Sequence, residues 1–329
     1  MRRIVIPGGS GAVGQMLARY FHRQGDEVIV LSRRPQATAW RTVVWNGRDL
    51  SDWAKEIDGA DAVINLTGRS VDCRYTKANR REILHSRVDA TQVVGAAIRA
   101  ASRPPRVWLN ASTATIYRHA LDREMDEATG EIGGREGGSM ATWKFSIEVA
   151  TAWEKTFFEA VTPGTRKVAM RSAMTAIAGA SWLGKLTRLA RWGLGGAAGA
   201  GTQYMSWIHE MDFVRAVEFL IARDDLEGPV NVSSPNPMPN AAFMRAIRDA
   251  CGRRFGPPIP EWALRVGSAL LGTEAELILK SRRVVPRRLL DAGFEFRFPT
   301  WPEAARELLW RPGVHAGYAT SGIAPAVHL

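Results

Sequence analysis

The sequence predicts an α/β fold in which a doubly wound parallel sheet carries a smaller, mainly helical C-terminal lobe. Two observations lead to this prediction. Up to about residue 177, short β-branched and apolar runs, typical of buried parallel strands, alternate with longer helical patterns. Residues 236–310 are then mostly helical, with prolines at 257, 258 and 260 interrupting the pattern.

The length of 329 residues suits one large α/β unit with a smaller attached lobe. We assign residues 1–177 to the sheet domain, which residues 207–235 complete, and residues 178–206 and 236–310 to the lobe. Residues 311–329 are expected to form a mobile tail. The predicted strands are 4–6, 27–31, 42–45, 61–66, 107–110, 167–171 and 229–233, and the predicted helices of the sheet domain are 15–24, 78–101, 146–160 and 210–222.

Glycines 8, 11 and 14 lie between the first strand and the first helix. The first permits a tight turn, the second lets the backbone approach a pyrophosphate at the helix N-terminus, and the third lets helix and strand pack closely. Glycine-rich turns are common, but this one lies between a predicted strand and a predicted helix. The loop therefore predicts a Rossmann-type dinucleotide site with the contacts Gly8, Ser10, Gly11, Ala12, Val13 and Gly14.

The end of the second strand indicates which dinucleotide binds. An NAD-selective site has Asp or Glu here to bind the ribose 2′-hydroxyl, whereas this chain has Ser32, Arg33 and Arg34. A guanidinium can bind a 2′-phosphate through two hydrogen bonds. We therefore predict NADP(H) as the cofactor; the alternative is a solvated basic loop.

The composition argues against several other classes of protein. No apolar run approaches the roughly 18 residues of a membrane span, and a strand that starts at residue 4 leaves no room for a signal peptide. Two cysteines, Cys73 and Cys251, are too few for a disulfide framework, and the six histidines show no metal-ligand spacing. We expect a cytoplasmic protein with neither a metal nor a membrane partner.

The formal net charge of +11 raises the question of nucleic-acid binding. The densest basic run, residues 280–288, shares a helical pattern with Leu277, Ile278, Leu289 and Leu290, as expected for a solvated face above an apolar one. No nucleic-acid-binding motif accompanies it. We expect general attraction of anionic ligands and no nucleic-acid partner.

Three further segments resemble a known family. They are the run 195–209 followed by Asp212, the pair 228–231 and 235–237, and the late segment 283–294. Together with the glycine loop they resemble the extended short-chain dehydrogenase/reductase superfamily. Within it the chain is similar to the atypical NAD(P)-dependent "epimerase family" branch, which ends in a C-terminal domain of unknown function and is sometimes labelled cell-division-inhibitor-like.

The resemblance implies further cofactor contacts on the later strands and on the long helix after the fourth strand. Ordinary packing between helix and sheet is the alternative for each of them, and an exposed pair is the alternative for Glu82 and Arg87. The implied contacts are Thr67, Gly68, Glu82, Arg87, Asn110, Ala111, Met174 and Thr175.

The resemblance also implies which residues are catalytic. In the superfamily a Ser or Thr orients the substrate, and a Tyr-x-x-x-Lys pair transfers the proton. Thr113 matches the orienting hydroxyl, with Ser112 as a nearby substitute, but no Tyr-x-x-x-Lys occurs here. Ser146 and Ala150 occupy the expected positions of the pair. Tyr117 is a candidate replacement, or an aromatic side chain packed under the loop.

Met205, Ser206, Trp207 and His209 are expected to face the substrate, although His209 could instead serve a structural role. Together with Trp182 and Trp192 these residues suggest an apolar or aromatic small molecule. We therefore predict an NADP(H)-dependent oxidoreductase or epimerase-type enzyme. The alternative is a non-catalytic NADP(H) sensor or scaffold, and the sequence leaves open whether the protein is a monomer or a homodimer.

Overall fold

A seven-stranded, wholly parallel sheet forms the centre of the structure, which is a computed structural model describing residues 1–34, 36–135, 141–179, 181–270, 274 and 276–310. The strands of the described chain are β1 (Arg3–Pro7), β2 (Glu27–Ser32), β3 (Arg41–Val44), β4 (Ala62–Asn65), β5 (Val107–Thr113), β6 (Arg166–Ser172), β7 (Met174–Ala176), β8 (Tyr204–Met205), β9 (Trp207–His209), β10 (Gly228–Val232) and β11 (Met238–Pro239). The seven strands of the main sheet lie in the order β10-β6-β5-β4-β1-β2-β3.

Helices cover both faces of the sheet, so the predicted doubly wound architecture is confirmed. The helices are α1 (Ala12–Arg23), α2 (Lys77–Ala100), α3 (Ala141–Glu159), α4 (Ser181–Arg191), α5 (Glu210–Ala222), α6 (Asn240–Ala250), α7 (Glu261–Leu270), α8 (Glu276–Leu279), α9 (Arg287–Asp291) and α10 (Trp301–Leu309). On one face α1 and α5 pack on an apolar layer that includes Ile4, Leu17 and Phe213; on the other, α2 and α3 enclose a second layer around Trp108.

The C-terminal lobe has its own apolar core, in which α6 packs against α4 and α10. The Trp301 ring stacks on Phe243 at a centroid distance of 4.1 Å, and Trp207 packs against Trp301 at 5.0 Å. The pair β8–β11 belongs to this lobe, whereas β7, which directly follows β6, pairs with β9, whose Trp207 packs in the core of the lobe. The lobe therefore lies beside the carboxyl end of β6.

Two local features of the structure go beyond the predicted elements. No helix is predicted within residues 177–201, yet they contain α4, whose buried Leu183 and Ala190 belong to the core of the lobe. Strand β5 continues to Thr113, three residues beyond the predicted end, because residues 111–113 keep their parallel pairing with β6.

Within the described part of the chain, no helix combines the length and apolar character required to cross a membrane. The predicted tail, residues 311–329, lies outside the described residues.

Candidate functional site

The glycine loop lies where β1 meets α1, at the carboxyl edge of the sheet. The Gly8 N–H donates to the Leu31 carbonyl at 2.9 Å, and its φ of +73° falls in the left-handed region that favours glycine. A Cβ at Gly8 would lie 2.7 Å from the Thr67 Cα, and a Cβ at Gly14 would lie 2.4 Å from the Gly9 Cα. The loop is thus compact enough for main-chain atoms to contact a ligand.

Helix α1 begins without a side-chain cap. Gly11 is its N-cap residue, and the first turn contains no acidic residue. The amides of this turn therefore point outward with the positive end of the helix dipole, an arrangement that binds phosphate. Ser10 is half-buried, Ala12 is exposed and Val13 is buried.

The end of β2 carries the predicted 2′-phosphate contacts. Ser32 is buried, and its Oγ accepts a hydrogen bond from the Arg34 N–H at 3.3 Å. Arg33 and Arg34 are exposed, and neither forms an ion pair with any residue that the structure describes. The two guanidiniums are therefore available to an anion at this edge of the sheet.

Two buried hydroxyls, one against the glycine loop and one on β7, lack hydrogen-bond partners among the described residues. They belong to Thr67, which faces Gly8, and to Thr175 on β7. Burying a hydroxyl without a partner costs about 1–3 kcal/mol. These atoms therefore fit a polar ligand lying across the edge of the sheet, as the sequence predicts for both threonines; Met174 beside Thr175 is half-buried.

A pair of asparagines links β4 to β5, and the sequence predicts only one of them, Asn110, as a site residue. The Asn65 amide donates to the Asn110 Oδ1 at 2.7 Å, and its own Oδ1 accepts from the Thr67 N–H at 3.1 Å. Asn110 also donates to the Ala111 carbonyl. The polar Asn65 within an otherwise apolar strand was the available signal. The pair fixes the backbone that positions Thr67.

Glu82 and Arg87 do not pair with each other. Glu82 is exposed and pairs with Arg69. Arg87 is buried, and its Nη1 donates to the carbonyls of Arg69 and Ile83 at 3.0 and 2.9 Å. Its Cζ lies 3.0 Å from where a Gly68 Cβ would stand. Arg87 therefore lies against Gly68 in the loop after β4, whereas Glu82 lies on the surface.

Two catalytic candidates are held in a buried network. The Ser112 Oγ donates to Glu154 at 2.5 Å, and Arg171 donates to both oxygens of the same carboxylate at 2.8 Å. Tyr117 accepts from Arg171 and donates to Asn231 at 3.0 Å. These contacts favour structural roles for Ser112 and Tyr117. Burial raises the pKa of Tyr117, which the nearby Arg171 partly offsets.

Thr113 differs from these two because it is only half-buried. Its Oγ1 accepts from the Thr115 N–H at 3.1 Å, so its own hydroxyl hydrogen can be donated elsewhere. On α3, Ser146 donates to Glu276 at 3.0 Å, while Ala150 is fully buried. Thr113 is thus the predicted catalytic residue whose hydroxyl remains able to donate.

The four predicted substrate contacts mostly serve packing. Met205 and Trp207 are buried in the core of the lobe, and Ser206 donates to the Arg282 carbonyl at 2.7 Å. His209 is fully buried; its Nδ1 accepts from the Met211 N–H and its Nε2 contacts Glu307 at 2.9 Å. Buried side chains with these partners are better explained by packing and helix capping than by substrate contact.

The predicted apolar cleft is not assembled from the three tryptophans named for it. Trp182 is half-buried and donates to the Thr175 carbonyl at 3.1 Å, Trp192 is exposed at the end of α4, and Trp207 lies in the core.

The interpretation of the basic run 280–288 as a solvated face is wrong at its N-terminal end. Lys280 is 0% exposed and Arg282 is 9% exposed. The Lys280 Nζ donates to the Thr115 carbonyl at 2.8 Å, and the Arg282 Nε donates to the Thr115 Oγ1 at 3.0 Å. The late segment therefore contributes buried charge beside β5.

Comparisons with known proteins show the family that the chain matches. The NAD dependent epimerase/dehydratase family model matches residues 4–233, and a domain of unknown function (DUF1731) matches residues 259–308. The chain is 31% identical over 314 residues to epimerase family protein SDR39U1 of Bos taurus, covering 93% of this chain and 99% of the relative. It is 30% identical over 310 residues to epimerase family protein YfhF of Bacillus subtilis, covering 93% and 97%.

Among solved structures, the chain is similar to human epimerase family protein SDR39U1 (isoform 2) with NADPH. The TM-score is 0.82 at 28% sequence identity, and the match covers 94% of this chain and 99% of the human chain.

Proposed function

The chain belongs to the NAD dependent epimerase/dehydratase family, and on that premise we propose that it is an NADP(H)-dependent oxidoreductase or epimerase-type enzyme acting on a small organic substrate. One observation carries the choice of cofactor. The end of β2 presents Ser32, Arg33 and Arg34 where an NAD-selective site has a carboxylate. The NADPH bound to the human relative supports the same choice.

The residues around the edge of the sheet fit such a cofactor. The glycine loop and the uncapped start of α1 would hold the pyrophosphate, because main-chain amides there can approach closely. Arg33 and Arg34 would bind the 2′-phosphate. The unpartnered hydroxyls of Thr67 and Thr175 would gain hydrogen-bond partners along its length.

The bound cofactor would supply or accept a hydride at its nicotinamide. On the protein side, the Thr113 hydroxyl would donate a hydrogen bond to the substrate oxygen and hold the reacting carbon in place. Thr113 is suited to this role because its oxygen already accepts from Thr115, which fixes the direction of the remaining hydrogen.

The cofactor assignment is tested by Arg33→Asp. Replacing the guanidinium by a carboxylate removes a charge-assisted contact and repels the 2′-phosphate, so we expect at least a tenfold weaker NADPH affinity, from about 1.5–3 kcal/mol. The affinity for NADH should change little. Calorimetric titration of both cofactors measures the difference, and Arg19→Asp, at an exposed position on α1, is the control. An unchanged preference for NADPH over NADH would refute the assignment.

The absence of a Tyr-x-x-x-Lys pair favours a second candidate function, a non-catalytic NADP(H) sensor or scaffold, since Ser146 and the buried Ala150 occupy the expected positions of the pair. A panel of aldehydes and ketones with NADPH separates the two candidates. For an enzyme, Thr113→Val should lower kcat/KM by about a hundredfold without changing NADPH affinity. Thr151→Val, on the exposed side of α3, is the matched control. Tight NADPH binding with no oxidation by any carbonyl compound would favour the sensor.

A further inference from the structure

A hydrogen bond between two glutamines joins the first turn of α1 to the segment that follows β2. The Gln15 Nε2 donates to the Gln36 Oε1 at 2.8 Å and to the Gly9 carbonyl at 3.4 Å. Both glutamine side chains are half-buried. We call this pair the glutamine bridge. It connects the two parts of the chain that the function proposed above assigns to the pyrophosphate and to the 2′-phosphate.

The segment after β2 is attached to α1 a second time, farther along the helix. The Trp40 ring packs on the His22 ring at a centroid distance of 6.2 Å and against the apolar layer beneath α1. The Thr38 Oγ1 donates to the Trp40 carbonyl at 2.8 Å. Of these two attachments, the glutamine bridge is the one closer in sequence to Arg33 and Arg34. It is therefore the attachment that bears on the position of the two guanidiniums.

The geometry of the cofactor makes that position important. The covalent structure of NADPH fixes the distance between its pyrophosphate and its 2′-phosphate, so Arg33 must lie at a matching distance from the start of α1. Arg33 and Arg34 are exposed, and ordering exposed arginines on binding costs conformational entropy. A segment that is already held in place reduces this cost. NADH has no 2′-phosphate, so its binding does not require the segment to be ordered.

The hydrogen bonds of Gln15 favour a positioning role over direct contact with the phosphate. A glutamine amide has two N–H donors, and those of Gln15 point to the Gly9 carbonyl and to Gln36. An amide with both donors used in this way holds the two loops together. Any effect of Gln15 on the 2′-phosphate must then pass through Gln36 to the arginines.

We propose that the glutamine bridge determines cofactor specificity, with Gln15 and Gln36 as positioning residues that hold Arg33 and Arg34 ready for the 2′-phosphate. This inference rests on the proposed function. It adds two residues that act on the choice between NADPH and NADH through the arginines.

The substitutions Gln15→Met and Gln36→Met test the bridge, because methionine keeps the length of the side chain and removes the hydrogen bond. Fluorescence titration of the full-length protein with NADPH and with NADH gives both affinities. Each variant should bind NADPH about threefold to tenfold more weakly, as expected for the loss of one hydrogen bond. The affinity for NADH should stay within about twofold, which also shows that the glycine loop is still folded. Gln24→Met, at the exposed C-cap of α1, is the matched control and should change neither affinity.

The double variant Gln15→Met/Gln36→Met separates a bridge from two independent residues. If the two side chains act only through each other, the double variant should lose no more NADPH affinity than either single variant. In an Arg33→Asp protein, Gln36→Met should have no further effect on NADPH affinity. Losses that multiply in the double variant, or that are equal for NADPH and NADH, would overturn the proposal.

The wild-type titrations distinguish this proposal from the function on which it rests. A wild-type protein without preference for NADPH over NADH refutes the proposed cofactor. A wild-type protein that prefers NADPH, with a preference that both single variants retain in full, refutes the glutamine bridge alone.

Discussion

At the scale of single residues, backbone geometry at the glycine loop decides whether a ligand can approach. Gly8 combines a φ of +73° with a backbone neighbour that leaves no space for a Cβ. Gly25 has a similar φ of +83°, but nothing lies within 4 Å of the position of its Cβ. The two glycines therefore separate the cost of an unusual backbone angle from the cost of a steric clash.

Comparing Gly8→Ala with Gly25→Ala tests this separation. Both variants should lose roughly 1–2 kcal/mol of unfolding free energy, because alanine disfavours the left-handed conformation. Gly8→Ala should lose about 1–3 kcal/mol more, because its methyl group overlaps the Thr67 backbone, and NADPH affinity should fall with it. Urea unfolding and calorimetry measure the two effects. Equal losses of unfolding free energy in the two variants would contradict a close contact between Gly8 and Thr67.

At the scale of elements, His209 links the start of α5 to α10. Its Nδ1 accepts from the Met211 N–H, so the ring is neutral and its Nε2–H donates to Glu307. The ring also stacks on Phe298 at a centroid distance of 3.9 Å. Burial lowers the pKa of His209 below its ordinary value of 6.5, an effect that Glu307 partly offsets.

This shift predicts a pH dependence of stability. As the pH falls below 6.5, the unfolded chain takes up a proton at this position before the folded protein does. The folded protein therefore loses stability as the pH falls from 6.5 to the lower pKa that His209 has in the folded state. The slope contributed is at most about 1.4 kcal/mol per pH unit. His209→Asn keeps a capping side chain but cannot titrate, and urea unfolding between pH 5 and 8, about the range in which histidine titrates, should show a flatter profile for it. Parallel profiles for the two proteins would refute this interpretation.

A second element-scale prediction concerns the bridge between α3 and β6. Glu154 and Arg171 form a two-pronged ion pair with side-chain exposures of 10% and 9%. Glu154→Gln leaves a buried guanidinium without its counter-charge and should cost about 3–5 kcal/mol of unfolding free energy. Glu148→Gln, which breaks an exposed pair with Lys144 on the same helix, should cost less than about 0.5 kcal/mol. Similar costs for both variants would show that the buried pair adds no special stability.

At the scale of the whole molecule, a ligand across the carboxyl edge would contact parts of the chain that are distant in sequence. The glycine loop, Thr67 and Thr175 belong to three different segments, so binding should stabilise the folded state as a unit. Thermal unfolding should show a melting temperature that rises with NADPH concentration, corresponding to about 2.7 kcal/mol at a hundredfold excess over Kd. NADH should produce a smaller rise, and Arg33→Asp should bring the two cofactors closer together. A melting temperature independent of NADPH would count against cofactor binding.

The sequence determined the parallel sheet, the glycine loop and the family resemblance, because these depend on local backbone requirements and on short-range patterns. Three glycines at fixed spacing and a run of β-branched residues predict the same local structure whatever the rest of the chain does. Helix α4 shows the limit of such patterns, because no helix is predicted from its sequence. Only the core of the lobe reveals which of its residues are buried.

The tertiary structure alone decided how the polar side chains are used. Lys280 lies against a carbonyl 165 positions earlier in the chain, and His209 contacts Glu307 across 98 positions, so no local pattern could show that either is buried. From the sequence alone, a charged residue can be either exposed to solvent or buried against a distant partner. The free energy of burying it depends on neighbours that only folding brings together. For the same reason the sequence located the glycine loop, whereas only the folded chain placed Lys280 and Arg282 against Thr115.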